Sequence, residues 1–424
     1  MNKPGCIPIT QIQIMEDIFM NAVGIDVSKG RSTVSVLRMF GEVIMSPFEV
    51  NHTVSELKAL AKTLKRLSGE TKVIMECTGN YHLPVARTLQ AAGLFVSTRH
   101  AELIHKFGND TIRKGKSDPA DSLKISNYGL TNWLNLKEFI PEDEVRQSLK
   151  VVTRQYTKYS KIKTTLVNNF ICLLDLSFPG VNKLFTSPVR KSDGHEKWID
   201  FACEFCHSDC VAKLSLKAFS ERYKKWCKRS SYNAVNASGI HDFARKCVPV
   251  LPKNDSTKLL IAQSTLQINS ICETLNVFAK EMKRLAESLP EFPIAMGFFG
   301  VGEVLAPKII AEVGDIRNYR KKSSTVRFAG LDPVDNDSGD FHGDKKISKQ
   351  GSPHLRKALF QVMDCLIQNA PADDPIFRLL DRKRSEGKHY YSYMCAGSAK
   401  FLRIYYARVK EHLHSLGLWD NITA

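Results

Sequence analysis

The chain has 424 residues, of which 43% are hydrophobic and 25% are charged. This composition is that of an ordinary globular protein, and the length is too great for one hydrophobic core, so two or three domains are expected. The formal net charge of +17 favours a polyanionic partner, most often nucleic acid, over a merely basic globular protein.

Two features predict the compartment. The N-terminal stretch Met1–Met20 carries Glu16 and Asp17 where a secretory signal would need an apolar core, and no later run approaches 18 uninterrupted apolar residues. We therefore expect a cytoplasmic protein without a membrane contact. The eleven cysteines are then expected to be reduced thiols.

One group of cysteines has zinc-like spacing: Cys203, Cys206, Cys210 and the more distant Cys227. Aromatic and aliphatic residues recur through the same stretch at helical spacing, so a helix with packed thiols is favoured over a structural zinc site. The surrounding segment from Phe178 to Pro252 is interrupted by turns and carries no functional signal.

The first 140 residues predict a mixed α/β domain. Three β-rich runs, AVGIDVS, STVSVLRM and EVIMSPFEV, read as an antiparallel meander, and KVIMEC is typical of a buried parallel strand. An amphipathic helix precedes KVIMEC, and a helix and a fifth strand follow it. The order βββαβαβ, followed by a helix, indicates a sheet of the ribonuclease-H type.

Four carboxylates of this domain lie within a strand, near a strand end or at a helix start. Asp26 interrupts an apolar strand, and Glu76 lies near the end of the strand KVIMEC. Asp118 and Asp121 open the last helix, three residues apart and so on one face. Asp118 and Asp121 alone would suit a helix cap. Because the topology brings all four to the carboxyl edge of one sheet, we predict that they bind Mg²⁺, whose preferred ligands are oxygens.

Residues 141–290 predict a helical domain. Glu144–Leu176 and Ser256–Leu289 are long amphipathic stretches without interior proline or glycine, which favours an antiparallel coiled-coil arm usable for self-association.

Residues 291–424 form the third predicted domain. FFGVG followed by the helical VLAPKIIAEVGDI has the pattern of a helix-hairpin-helix, in which a glycine turn offers backbone N–H groups to phosphate. Basic helices with tyrosines end the chain; these tyrosines suit single-stranded nucleic acid or a hydrophobic core equally well.

The most unusual stretch is LDPVDNDSGDFHGDKKISKQGSPHLRK. Asp335–Gly339 predicts an exposed turn with Ser338 at its tip, and Ser352 and Pro353 predict a helix start. A serine in such a turn is usually structural, and no histidine adjoins it as a general base. The neighbouring cations form a candidate nucleic-acid contact set: Lys345, Lys346, Lys349, Arg356 and Lys357.

With these residues in view, the chain resembles the DEDD-type insertion-sequence transposases, the group related to the Piv DNA invertase and the bridge-RNA-guided recombinases. The resemblance rests on GIDVSKGRSTVSV, on VIMECTGNYHLPVARTL with KSDPADSLKISNYG, and on GVGEVLAPKIIAEVGDIRNY with FAGLDPVDNDSGDFHGDKKISKQGSPHLRKAL. These stretches occur in the family's order and spacing.

The resemblance implies a RuvC-like domain, a coiled-coil arm and a C-terminal transposase domain. It assigns Asp26, Glu76, Asp118 and Asp121 to metal binding and Ser338 to a covalent phosphoserine link with DNA. It also implies a bacterial, nucleoid-associated homo-oligomer, either a dimer or a tetramer, that acts on donor and target DNA with a structured guide RNA encoded by the element.

Three other functional interpretations of the sequence are possible. A metal-dependent nuclease or Holliday-junction resolvase would need the four carboxylates but not Ser338. An actin-like ATPase also begins with Gly-Ile-Asp-x-Ser, although the sequence has no second phosphate loop. A non-catalytic RNA-binding protein would explain the charge but not the carboxylates.

Overall fold

The computed structural model describes residues 19–77, 79–107, 117–227, 233–334 and 346–419, together with the backbone of 337–338 and 341–342. It divides into two compact units, Met1–Pro141 and Glu142–Ala424. The break between the units lies beside the boundary predicted at residue 140. The further boundary at residue 290 stays a prediction.

The N-terminal unit contains a five-stranded mixed sheet. Its strands are β1 (Met20–Val27), β2 (Arg31–Leu37), β3 (Val43–Asn51), β4 (Glu70–Cys77) and β5 (Phe95–His100). Their spatial order is β3-β2-β1-β4-β5; β1, β2 and β3 pair antiparallel, whereas β4 pairs parallel with both β1 and β5. The predicted meander and the predicted buried parallel strand are both confirmed.

Helices cover both faces of this sheet. They are α1 (Val54–Leu64), α2 (His82–Ala91), α3 (Ala101–Phe107) and α4 (Asp118–Thr131). The face that carries Val23, Ile25 and Met75 packs against α1 and α2. The opposite face carries Ala22 and Ile74 and packs against α4. Alternate strand residues therefore serve two separate cores, as the period of two requires.

The second unit begins with two long antiparallel helices, α5 (Glu144–Ser177) and α10 (Asp255–Glu287). Arg146 at the start of α5 pairs with Glu291 just beyond the end of α10. Further along, the Tyr159 ring meets Phe278 edge to face at 5.4 Å. The predicted pair of long antiparallel helices is confirmed.

The segment between these helices has a core of its own. It forms α6 (Lys197–Glu204), α7 (Asp209–Ala212), α8 (Leu216–Trp226) and α9 (Ala234–Lys246). Their apolar faces enclose aromatic residues that are stacked or packed edge to face and that also contact Phe170 of α5 and Ile261 of α10. The turn-interrupted segment is thus a small helical bundle between the long helices.

The cysteine cluster lies in this bundle. Cys206 and Cys210 are buried, whereas Cys203 is exposed. Within the described residues, no group of three or more His, Cys, Asp or Glu side chains could hold a metal ion. Cys206 and Cys210 are packed thiols, but they do not share one helix: Cys210 lies on the short helix α7, and Cys206 lies in the connection between α6 and α7.

The remaining helices form the C-terminal core. They are α11 (Phe292–Met296), α12 (Leu305–Val313), α13 (Lys322–Phe328), α14 (Pro353–Asn369), α15 (Pro375–Ser385) and α16 (Tyr390–Ser415). Short antiparallel strand pairs lie between α13 and α14: β6 (Pro333–Val334) with β9 (Lys346–Ile347), and β7 (Asp337–Ser338) with β8 (Phe341–His342). Among the described residues, no helix is long and apolar enough to cross a membrane.

Candidate active site and nucleic-acid interface

Two of the predicted carboxylates lie side by side in the sheet. The parallel register of β1 and β4 pairs Gly24 with Ile74 and Ile25 with Met75, so the next residues, Asp26 and Glu76, stand at the same level on neighbouring strands. Both are half-buried. Neighbouring strands are about 4.8 Å apart, so the two carboxylates are close neighbours at the carboxyl end of the parallel pair.

Helix α4 lies on the face of the sheet to which Asp26 and Glu76 belong. A Cβ on Gly129 would lie 2.4 Å from Ile74 Cδ1 and 3.4 Å from Ala22 Cβ. Ala22 and Asp26 are four residues apart, and Ile74 and Glu76 are two apart, so within each strand they share a face. The face that α4 covers is therefore the face that carries both carboxylates.

The direction of α4 brings its first turn toward these carboxylates. Gly24 meets α4 at Ser122, whereas Ala22 meets it one to two turns later at Gly129. The helix therefore runs antiparallel to β1, and its N-terminus reaches toward the end of the strand where Asp26 lies. Asp118 and Asp121 occupy that first turn.

The helix start differs in detail from the capping interpretation. Ser117 is the N-cap, and Asp118 is the first helical residue. Asp118 is exposed, and Asp121 is half-buried. The donor set has the oxygen chemistry that suits Mg²⁺, but within the described residues no three acidic or other ligand side chains approach closely enough to hold an ion. The structure thus brings the four carboxylates to one edge without closing them into a ligand set.

Ser338 belongs to a β-hairpin rather than to a free turn. The register pairs Pro333 with Ile347, Val334 with Lys346, Asp337 with His342, and Ser338 with Phe341. Within the described residues, Ser338 is therefore the last residue of β7 and pairs with the first residue of β8. Its side chain, like all of Lys345, lies outside the described residues.

Hydrogen bonds hold the residues that flank β6 and β9, which we call the hairpin base (residues 329–334 and 346–351). Ser348 Oγ donates to Asp332 Oδ1 at 2.6 Å. Arg356 Nη1 donates to the carbonyl oxygens of Ala329 at 2.9 Å and Lys349 at 3.2 Å. Gly330, at φ +64°, allows this close approach, because a Cβ there would lie 2.8 Å from both Arg356 Nη1 and the Lys349 carbonyl carbon. Arg356, predicted as a phosphate contact, therefore also holds backbone in place.

The predicted start of α14 is confirmed, with an unexpected neighbour. Ser352 Oγ accepts a hydrogen bond from the Leu355 N–H at 3.2 Å and donates to Glu312 Oε2 at 2.7 Å. Burial alone would raise the pKa of Glu312, but hydrogen bonds from Arg154 and Ser352 hold that pKa below its usual value. A carboxylate thus already lies at this helix N-terminus, where the helix dipole favours an anion.

The basic side chains instead line a groove beside that helix start. A cavity of about 890 Å³ is lined by Lys346 and Lys349 after the hairpin, Arg356 and Lys357 on α14, and the rings of Phe360, His389 and Tyr391. Among the residues that the structure describes, no Asp or Glu lines this groove. Four of the five predicted nucleic-acid contacts are therefore gathered on one surface. The aromatic side chains on the same surface could not be assigned from the sequence, which allowed the core equally.

The predicted helix-hairpin-helix has its two helices and glycine turn. Helix α11 ends at Met296, Gly300 takes a left-handed φ of +77°, and α12 begins at Leu305. A Cβ on Gly300 would approach the Cys365 side chain at 3.1 Å, so the turn packs on α14.

A mixed sheet with carboxylates at one edge, followed by a helical unit with a basic groove, is the arrangement of a nucleic-acid-processing protein. Comparison with known proteins narrows this class. A family model described as a transposase, of the IS110 type with a DEDD domain, matches residues 23–179. A second model, described as transposase of the IS116/IS110/IS902 family, matches residues 293–376.

Two curated relatives agree with these models. The 44.8-kDa protein of insertion element IS116 from Streptomyces clavuligerus is 22% identical over 86% of this chain and 88% of its own length. The 42-kDa protein of insertion element IS900 from Mycobacterium paratuberculosis is 27% identical over 28% of this chain and 29% of its own length.

The two family models cover more than half of the chain between them, and the chain belongs to the IS110/IS116 family of transposases. Membership implies a DNA-cleaving enzyme that acts in transposition, and it does not favour the nuclease or resolvase alternative. The first match includes all four predicted carboxylates, and the second includes Ser338 and the start of α14. The roles of these individual residues stay predictions.

Proposed function

We propose that this transposase cuts and rejoins DNA through a covalent phosphoserine link at Ser338, with Mg²⁺ held by Asp26, Glu76, Asp118 and Asp121. The observation that carries the metal half is the placement of Asp26 beside Glu76 on one face of the sheet. The antiparallel course of α4 supplies the other two carboxylates from the same edge. A metal bound there would polarise a phosphoryl oxygen and stabilise the charge that develops in the transition state.

The serine half of the proposal rests on the hairpin. In the proposed step, Ser338 Oγ forms a bond to the scissile phosphorus, the bond from phosphorus to one sugar oxygen breaks, and that oxygen leaves as a hydroxyl after taking up a proton. A hydroxyl of the second DNA strand then attacks the phosphoserine and releases Ser338. The bond energy is retained in the phosphoester, so the exchange needs no ATP.

The groove provides the positive charge that a serine hydroxyl lacks by itself. Lys346, Lys349 and Lys357 line it, and the fixed guanidinium of Arg356 adds a fourth positive charge. Within the described part of the chain, no carboxylate lines the groove beside them. Together with Lys345, these side chains would hold the DNA phosphates and stabilise the developing charge.

Partners complete the proposal. We infer a homo-oligomer, a dimer or a tetramer, in which a carboxylate site and a serine site meet on DNA. We also infer a structured guide RNA that pairs with donor and target strands. Both inferences come from the family resemblance, and the net charge of +17 is consistent with two nucleic-acid partners.

An adduct-trapping assay tests the mechanism. Full-length protein, the RNA from the flanking non-coding DNA and a nicked target duplex are mixed with Mg²⁺, and protein–DNA adducts are resolved on a denaturing gel. We expect an adduct that Ser338→Ala abolishes, that Ser385→Ala retains as a matched exposed control, and that Asp26→Asn lowers about 100-fold. Cleavage without an adduct, unchanged in Ser338→Ala, would refute the serine mechanism and revive the nuclease alternative.

The guide is tested separately. RNA in which the pairing segments are exchanged for new sequences should redirect the adduct to a matching duplex. Adducts that form at the same site without RNA would refute guidance while leaving the serine mechanism intact.

A further inference from the structure

Four of the five tyrosines of α16 fall into two groups. Tyr405 is fully buried and Tyr406 is 7% exposed, whereas Tyr390 is 39% and Tyr391 61% exposed. The first group belongs to the hydrophobic core of the C-terminal helices. The second stands at the first turn of the helix, where Tyr391 lines the basic groove.

Neighbouring side chains hold the Tyr391 ring in place. The Tyr390 ring meets it nearly edge to face at 5.2 Å, and Tyr390 Oη donates to Asp364 Oδ1 at 2.9 Å. The rings of His389 and Phe360 lie 5.7 Å and 6.4 Å from it, inclined by 33° and 31°. Tyr391 is thus an exposed ring that is supported on several sides, which limits the entropy lost when a ligand stacks on it.

The groove combines this aromatic wall with four cations. Cations alone would suit the phosphates of any duplex. Aromatic faces have no partner on a duplex, because its bases are stacked within the helix and offer only their edges. An exposed aromatic face beside cations is the recognition chemistry of an unpaired nucleotide, whose base stacks while its phosphate is neutralised.

We propose that this groove binds an unpaired nucleotide of the DNA strand, with its base stacked on Tyr391 and its phosphates held by Lys349 and Lys357. The assignment to DNA rests on the proposed function, because Lys346 and Ile347, which follow Ser338 by only eight and nine residues in the chain, line the same groove. The transposase would thereby select a site where the duplex is opened or distorted.

The test compares two duplexes of equal length and charge in full-length protein. In one, 2-aminopurine is paired; in the other, it is the single unpaired base of a bulge. We expect tighter binding of the bulged duplex together with a change in 2-aminopurine fluorescence. Tyr391→Ala should lose about 10-fold of the affinity for the bulged duplex and little for the paired one, while Tyr391→Phe should retain the preference.

Matched variants separate the possible outcomes. Phe40→Ala removes a fully exposed ring from the N-terminal unit and should leave the preference unchanged. If Tyr391→Ala also leaves it unchanged, or if the same bulge in RNA binds more tightly than in DNA, the proposal is overturned.

Lysine substitutions distinguish this inference from the proposed function. Suppose that the double variant Lys349→Ala and Lys357→Ala weakens the binding of both duplexes equally, and that no protein tested prefers the bulged duplex. The groove then binds DNA but recognises no unpaired base, and only this inference fails. If the same double variant binds both duplexes like the wild type, the DNA contacts of the proposed function fail as well.

Discussion

Gly24 offers a direct test of how α4 positions the carboxylate edge. A Cβ added at Gly24 would lie 2.2 Å from the Ser122 carbonyl oxygen and 2.4 Å from the Ser126 nitrogen. Both atoms are backbone, so no side-chain rotation relieves the contact. Restoring the 3.4 Å of ordinary van der Waals contact requires α4 to move about 1.2 Å away from β1.

The displacement has two expected consequences for Gly24→Ala. Overpacking of this kind costs about 1–3 kcal/mol of unfolding free energy, which urea denaturation measures. Asp118 and Asp121 would move away from Asp26 and Glu76, and a displacement of about 1 Å in a catalytic constellation lowers the rate about 100-fold. DNA cleavage measured well below the denaturation midpoint separates this effect from the loss of stability.

Gly239 in α9 provides the matched control, because a Cβ there meets nothing within 4 Å. Gly239→Ala should stabilise the protein by about 0.5–1 kcal/mol and leave cleavage unchanged. Adding Ser126→Ala to Gly24→Ala removes a hydroxyl that lies 2.5 Å from the new Cβ and should rescue little, because the backbone contacts persist. A Gly24→Ala protein with wild-type stability and a wild-type cleavage rate would refute the described packing of α4 on β1.

Two further predictions concern the second unit. Glu291 is fully buried and pairs with the buried Arg146 at 2.5 Å, so Glu291→Gln should cost about 3 kcal/mol in urea denaturation, while replacing both residues by Met should recover most of it. The exposed ion pair between Glu281 and Arg284 is the control, and Glu281→Gln should leave the urea midpoint unchanged. Equal losses of unfolding free energy in Glu291→Gln and Glu281→Gln would contradict a special cost for the buried pair. Burial, and then the charge of Lys357, lower the pKa of Lys308 to about 8. Because the unfolded value is about 10.4, the unfolded chain binds more protons between these values, so stability should rise from pH 8 to 10.4. Lys308→Met should flatten that rise in urea titrations at pH 7.5 and 10, and an unchanged slope would count against the buried position of the ammonium group.

Local patterns in the sequence were sufficient for the elements and for several site positions. Runs of β-branched residues predict the strands, and KVIMEC predicts the central parallel strand, because burial on both faces leaves no polar alternation. Ser352 followed by Pro353 predicts the start of α14, because both residues satisfy requirements of the first helical turn. These patterns depend only on residues within a few positions of one another.

The tertiary structure decided what depends on distant neighbours. Glu312 reaches the start of α14 from another helix, and Arg356 turns part of its guanidinium to the backbone of the hairpin base. Tyr391 and Tyr405 both belong to a tyrosine pair on the same basic helix, yet Tyr391 lines the groove and Tyr405 packs in the hydrophobic core.

The carboxylate edge needed both kinds of information. The sequence by itself determined that Asp26 lies within a strand, that Glu76 lies at a strand end and that Asp118 and Asp121 lie at a helix start, because strand and helix periods are local properties. Asp26 lies beside Glu76 because β1 and β4 pair in parallel. Helix α4 runs antiparallel to β1, as its close contact with Gly24 shows. Those are contacts between segments about 50 and 100 residues apart, whose geometry is set by packing rather than by local preference.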